Sequence, residues 1–269
     1  MSWLHAVIVA IVEGLTEYLP VSSTAHMVFT TGLLGIGEDD FVKMFQISIQ
    51  FGAILAVVAL YYKKFFNFKN LKFYSKLVYA VIPALILGKL FDDKIEAILG
   101  NPVPIAIVLV IGGFVLLFID RYFQHPKTFS EQEITIKQAV IIGFCQCLAM
   151  MPGTSRSAAS IIGGMQQGLS RKAAAEFSFF LAVPTMAAAT CYSVFLKNWG
   201  TGENAHKGYE LITQSAQHIL CFALGNVVAF VVAMLAIKFF IGMINQFGFK
   251  PWGWYRIIVG IALLVYYSI

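Results

Sequence analysis

The sequence predicts an all-α polytopic membrane protein, with six transmembrane helices and two re-entrant helical hairpins in an inverted-topology repeat. Three observations lead there. Hydrophobic residues fill 59% of the 269 positions and charged residues only 12%, with a mean hydropathy of +0.77. A soluble domain carries about 45–50% apolar residues, so lipid is the solvent for much of this surface. The apolar residues form continuous runs instead of the ten-residue alternating segments of a barrel, and helical spans need runs of about 20. The order of those runs is the same in both halves of the chain.

Six runs, 44–62, 76–91, 103–119, 177–196, 218–238 and 254–267, read as spans. Two more stretches, 3–12 with 25–36 and 139–151 with 157–168, are interrupted by polar residues and proline. Each half is too short to cross a bilayer. They read as hairpins, whose irregular backbone is tolerated only where it is shielded from lipid. At an offset of 132 residues Pro20 meets Pro152, Ser23 meets Ser155, Gly32 meets Gly164, Phe45 meets Phe177 and Ala56 meets Ala188. The chain is thus expected to be a single membrane domain over 1–269, repeat one covering about 1–120 and repeat two about 133–269. Each repeat is a hairpin followed by three spans. An odd number of spans inverts the second repeat, so the two hairpin tips meet at the protein centre.

Charge sets the orientation. Five lysines and no acid lie between Lys63 and Lys76, which places that loop in the cytoplasm by the positive-inside rule. Counting from it, Glu38, Asp39, Asp40 and the segment DDKIE at 92–96 fall outside, with both termini. Arg121, Lys127, Arg171, Lys172, Lys238 and Lys250 fall inside. The net charge of +5 therefore reflects membrane orientation, and nucleic acid is not an expected partner. The N-terminal stretch lacks a basic region and runs into Glu13, unlike a cleaved signal peptide. Cys145, Cys147, Cys191 and Cys221 have neither zinc nor disulfide spacing and read as buried free thiols.

Polar residues concentrate at the two interruptions. In VEGLTEYLPVSSTAHM, residues 12–27, Glu13 and Glu17 are four apart and share one helix face, where they repel by roughly 0.2–0.5 kcal/mol in water. A carboxylate at bilayer depth costs at least about 2.5 kcal/mol, a penalty that function would explain. Ser22, Ser23 or Thr24 is suited to capping the following half-helix. In PGTSRSAAS, residues 152–160, Arg156 is the only charge between Lys137 and Arg171. Its guanidinium, a helix N-terminus and the hydroxyls of Ser155 and Ser157 suit an anion such as phosphate; an ion pair with Glu13 or Glu17 is the other reading. A substrate with an anionic head and an apolar tail would satisfy both regions. Carboxylates beside a phosphate also suggest a divalent cation, Mg²⁺ or Ca²⁺, held by Glu13 and Glu17 with phosphate and water completing its shell.

EGLTEYLPVSSTAH and PGTSRSAAS, with EFSFFLAVP at 176–184, closely resemble the bacterial undecaprenyl-diphosphate phosphatase family, also called bacitracin-resistance proteins. The resemblance spans essentially the whole chain. It implies an inner-membrane enzyme that removes the terminal phosphate of undecaprenyl diphosphate, recycling the lipid carrier for peptidoglycan and other wall polymers. It also implies an active site of Glu13, Glu17, Ser22, Ser23, Thr24 and His26 with Ser155, Arg156 and Ser157, expected to open to the extracytoplasmic side. Expected partners are the polyprenyl diphosphate and membrane lipids, and a homodimer is compatible with the pattern. Ala25 and Ala158 stand where the family has glycine, making φ > 0 less favourable at both.

On this basis Arg156, Ser155 and Ser157 hold the diphosphate, a cation bridges it to the glutamates, and the nucleophile is Ser23, His26 or a water. Ser23 with His26 as proton carrier is the favoured pairing. The SR-x5-H-x3-D pattern of acid-phosphatase-like lipid phosphatases is excluded by Ile162 and Gln166, and Walker and HExxH motifs are absent. Translocation of the lipid carrier is the alternative function, because inverted repeats with broken helices also build transporters.

Overall fold

The computed structural model describes residues 1–67, 69–99, 101–202 and 205–268. The side chains of Asp92, Asp93 and Glu96, expected on the outer face, lie outside the described residues. Helix α1 (Trp3–Thr16) opens on Ser2, whose hydroxyl accepts from the His5 amide at 3.2 Å. After the first interruption comes α2 (Ser23–Leu33). Helices α3 (Asp40–Ser48) and α4 (Gln50–Leu60) follow one another with a break at Ile49. A single turn, α5 (Tyr62–Phe65), leads to α6 (Leu71–Leu99) and α7 (Pro102–Tyr122). In the second half, α8 (Ile136–Gln146) starts on a capping box of Thr135 and Gln138. A 3-10 turn (Cys147–Met150) and the second interruption precede α9 (Arg156–Gln166). Helix α10 (Arg171–Cys191) closes in a π turn (Tyr192–Leu196). A small ribbon of β1 (Asn198–Trp199) and β2 (His206–Lys207) and the short α11 (Gly208–Thr213) connect to α12 (Ala216–Phe247) and α13 (Lys250–Ser268).

Among the described residues five helical stretches are long and apolar enough to cross a membrane: Asp40–Leu60, Leu71–Phe91, Pro102–Tyr122, Arg171–Leu196 and Ala216–Phe247. The expected sixth run, 254–267, is helical within α13 but not among the five; Lys250 and Arg256 dilute the apolarity of that helix. The shorter apolar helices Trp3–Thr16 and Ile136–Met150 are the first arms of the two interrupted stretches. The Asp40–Leu60 span is 61% buried inside the protein against 33% for α7 and α12, so α3–α4 is the central span. The four cysteines are free, but only Cys221 is buried, and Cys191 sits on the outer surface of α10. An apolar environment makes outward placement of a thiol cheap, which the expectation of burial overlooked.

Packing is reciprocal between the halves. The first short helix of each half lies on a long helix of the other, α1 on α12 and α8 on α6, while α4 meets α10 and α7 meets α13. Close approach is set by small residues: a Cβ at Gly143 would overlap the Ala80 carbonyl oxygen of α6. Cap positions also correspond. Ser2 and Thr135, and again Ser22 and Ser155, lie 133 residues apart, whereas Asp39 and Ser170 lie 131 apart. The constant offset of 132 is thus not kept, because the connection after α9 is shorter than the one after α2. Ser22, not Ser23, is the counterpart of Ser155.

Charged groups expected on the cytoplasmic face gather at one end. Lys64 pairs with Glu131 at 2.7 Å, Lys76 donates to the Glu131 and Gln132 carbonyls, and Arg171 pairs with Asp120 at 2.6 Å. If this segregation reflects the bilayer, single cysteines at Asn70 and Glu38 in a cysteine-free background label with an impermeant thiol reagent from opposite sides, Glu38 from outside. Labelling of both from one side would contradict it.

Candidate active site

The spacing of Glu13 and Glu17 brings both carboxylates inward at the end of α1, where Glu13 is fully buried and Glu17 is 6% exposed. The chain then turns through Tyr18, Leu19, Pro20 and Val21 to Ser22, which takes a left-handed φ of 72°. Ser155 does the same before α9, with φ 75°. Such strain at a non-glycine residue costs about 1–3 kcal/mol and is held only by surrounding structure. Ala25 and Ala158 lie inside α2 and α9 with ordinary helical φ, so their added methyl groups meet no backbone penalty. The left-handed positions are the serines.

The two tips meet. Arg156, the first residue of α9, donates from Nη2 to Glu17 Oε1 at 2.7 Å and from Nη1 to the Ser178 carbonyl at 2.9 Å. Ser23 Oγ donates to the other Glu17 oxygen at 2.5 Å. Ser157 Oγ donates to the Leu19 carbonyl at 2.8 Å, and Ser155 Oγ lies 3.1 Å from Ser157 Oγ while accepting from the Ala158 amide. The ion pair and the anion-binding groups thus occupy the same place. Arg156 Nε has no acceptor among the described residues, which leaves a guanidinium donor for a ligand oxygen.

Glu17, Ser22, Ser23, Thr24, Ser155 and Arg156 line one cavity of about 280 Å³. Thr24, Ile47, Gln50, Ile95 and Leu99 are shared with a second cavity of about 390 Å³, which extends to Glu38, Lys43, Lys197 and Trp199. Met27, Val28, Ile47, Ile95 and Leu99 give the larger cavity apolar walls between the polar groups of the smaller one and Glu38, Lys43 and Lys197.

His26 is placed differently from the expectation. Its Nδ1 is 2.8 Å from the Ser22 carbonyl and its Nε2 is 2.9 Å from the Tyr255 hydroxyl, whose ring it stacks on. With Nδ1–H donating to a carbonyl, Nε2 accepts from Tyr255. His26 lines neither cavity. Ser157 binds the opposite tip and does not line the cavity either. Glu13 also lies behind the cavity, its two oxygens buried without a hydrogen-bond partner among the described residues. Those orphaned oxygens suit a hard cation, but both Glu17 oxygens are engaged, and no cluster of three candidate ligands occurs among the described residues. Substrate and water would have to supply the remaining ligands.

Three site residues escaped the sequence reading. Ser178, inside EFSFFLAVP, orients Arg156 through its carbonyl and bonds Ser160 Oγ at 2.6 Å. Gln146 is 2% exposed and lines the polar cavity. Its Nε2 donates to Thr185 Oγ1, whose own proton goes to the Leu181 carbonyl, and its Oε1 has no donor among the described residues. Arg256 is fully buried against both tips. Polar side chains within apolar runs are the one signal that marks them.

Fold and site define a polytopic helical membrane protein with a buried polar centre in which a guanidinium and a hydroxyl share one carboxylate. Residues 6–262 match the family of Bacitracin resistance protein BacA, and the chain belongs to that family. It is 51% identical to the undecaprenyl-diphosphatase of Flavobacterium johnsoniae, over 98% of this chain and 96% of that protein. The undecaprenyl-diphosphatases of Porphyromonas gingivalis and Bdellovibrio bacteriovorus are 48% and 45% identical over the same shares.

Arg156→Lys keeps the charge but loses the planar fork that spans Glu17 and Ser178. Turnover should fall by about 10²-fold in a variant that still melts cooperatively. Turnover within a few-fold of the parent would remove the guanidinium from substrate binding.

Proposed function

We propose that this protein hydrolyses undecaprenyl diphosphate to undecaprenyl phosphate and inorganic phosphate, recycling the lipid carrier for cell-wall polymers in a bacterial inner membrane. The observation that carries this is the convergence of Glu17, Ser23 and Arg156 on one cavity, in a chain 45–51% identical over nearly its full length to proteins named for that activity. Those names favour hydrolysis over transport of the carrier.

The terminal phosphate enters beside Arg156, whose Nε and Nη groups, with Ser155, Ser22 and Thr24, face the negative oxygens. Ser157 holds the first tip through the Leu19 carbonyl. Glu17 takes the Ser23 proton along the 2.5 Å hydrogen bond while Ser23 Oγ attacks the terminal phosphorus. The bond to the bridging oxygen breaks, and undecaprenyl phosphate leaves with that oxygen. Water then attacks the phosphoserine phosphorus, the P–O bond to Ser23 breaks, one water proton passes to Ser23 Oγ and phosphate is released, while Glu17 gives up to solvent the proton it took. The short Ser23–Glu17 bond favours this assignment over direct attack by water. His26, bonded at both ring nitrogens, holds the Ser22 carbonyl and the shape of the first tip. A divalent cation, held by Glu13 and Glu17 when bound, would screen the carboxylates from the phosphates.

The same reading makes the two interrupted stretches re-entrant hairpins of an inverted repeat, with α13 as a sixth span. Reciprocal packing of α1 on α12 and α8 on α6 supports it. Glu38 and Lys43, which line the larger cavity, stand at the start of the Asp40–Leu60 span, and the lysine-rich loop follows its end. This supports opening to the extracytoplasmic side.

Purified protein in detergent should release phosphate from a prenyl diphosphate and lose that activity with EDTA. Glu17→Gln should reduce it by about 10²-fold or more. Absence of release by the parent protein would contradict the hydrolase, and undiminished release in EDTA would remove the cation alone.

A further inference from the structure

We infer that Arg256 of α13 is a positioning residue that ties the two tips together behind the diphosphate site, through Gly153 on the cavity wall, and places there a positive charge with no carboxylate partner among the described residues. It heads the fully buried large side chains, at 0% exposure. Its Nη1 donates to the Pro20 carbonyl at 3.1 Å and to the Thr154 carbonyl at 3.0 Å; Nη2 donates to the Gly153 carbonyl at 2.7 Å and Nε to the Leu109 carbonyl of α7 at 3.1 Å. One planar group therefore bonds the first tip, the second tip and a neighbouring span.

Three of the carbonyls it serves, those of Pro20, Gly153 and Thr154, lie outside the helices. Pro20 and Thr154 stand just before the left-handed Ser22 and Ser155, and an unsatisfied carbonyl in an apolar interior is costly. A guanidinium, with donors fixed in one plane, can meet four acceptors at once, whereas an ammonium has three donors and no fork. The sequence makes room for it: a Cβ at Gly112 of α7 would overlap Arg256 Nη2 and Cζ.

The charge has a second consequence. Arg156 is already paired with Glu17, while Arg256 forms no ion pair among the described residues and is bonded only to carbonyls. Guanidinium stays ionised, so an arriving diphosphate offsets the cost of burying it. Charge should therefore act on binding and fork geometry on the chemical step.

The inference rests on the diphosphatase reading, and the parent protein's own turnover tests that reading separately. Arg256→Lys, Arg256→Gln and Gly112→Ala are compared for kcat and KM on farnesyl diphosphate and for the Tm shift produced by inorganic diphosphate. Arg256→Lys should lower kcat by about 10²-fold while changing KM little, because charge is kept and the tips lose registry. Arg256→Gln should in addition raise KM by about tenfold and abolish the Tm shift. Gly112→Ala, which displaces the guanidinium without removing it, should behave like the lysine variant. Folded variants with parental kcat and KM would overturn the inference. So would losses of kcat that only track the unfolded fraction, or a Gly112→Ala protein with parental kinetics should the Arg256 variants not fold.

Discussion

The ion pair between Arg156 and Glu17 joins residues 139 positions apart at a distance of 2.7 Å, and the site is organised around it. A carboxylate at bilayer depth costs at least about 2.5 kcal/mol. Here both Glu17 oxygens are engaged, one by Arg156 and one by Ser23. Arg156 is held in turn by the Ser178 carbonyl and lies 5.7 Å from the Tyr18 ring centroid. Removing one partner of a buried pair leaves the other charge unpaired, at a cost of about 3–5 kcal/mol. The same carboxylate holds Ser23 and brings the second tip to the first, so the fold and the candidate site share one group.

Backbone geometry follows from that meeting. Interrupted helices leave carbonyls that lipid cannot satisfy, and the structure answers with side chains from elsewhere: Ser157 for Leu19, and Arg256 for Pro20, Gly153 and Thr154. The left-handed conformations of Ser22 and Ser155 are sustained by these bonds. Around them, small residues let the spans approach closely enough to place the tips, as where the Gly52 amide of α4 reaches Asn226 of α12 at 3.0 Å. The polar centre is thus a product of packing between halves, and neither half contains it.

Much of this was legible in the chain because membrane solvent imposes a strong pattern. All six apolar runs are helical, and both interruptions lie where polar residues and proline break the runs. The place of Arg156 at the start of α9 followed from charge scarcity and helix-terminus chemistry, and its pairing with a glutamate was the second reading, beside an anion site. Residues whose meaning depends on distant partners were not legible. His26 finds Tyr255, 229 positions away, and Arg256 finds Pro20, 236 positions away; neither contact leaves a local trace. A fixed repeat offset could not see that unequal loops shift the register, which pairs Ser22 with Ser155. Ala25 and Ala158 misled for a related reason, since a methyl group matters only where φ is positive.

Arg156 and Glu17 are paired as one unit across the two halves. A double-mutant cycle on thermal stability tests it most directly, using Glu17→Gln, Arg156→Gln and the double variant in detergent. Direct partners couple by about 0.5–3 kcal/mol. The double variant should therefore melt no lower than the worse single variant, because the second substitution removes a charge the first has stranded. Strictly additive losses in Tm would contradict the pairing on which the site depends.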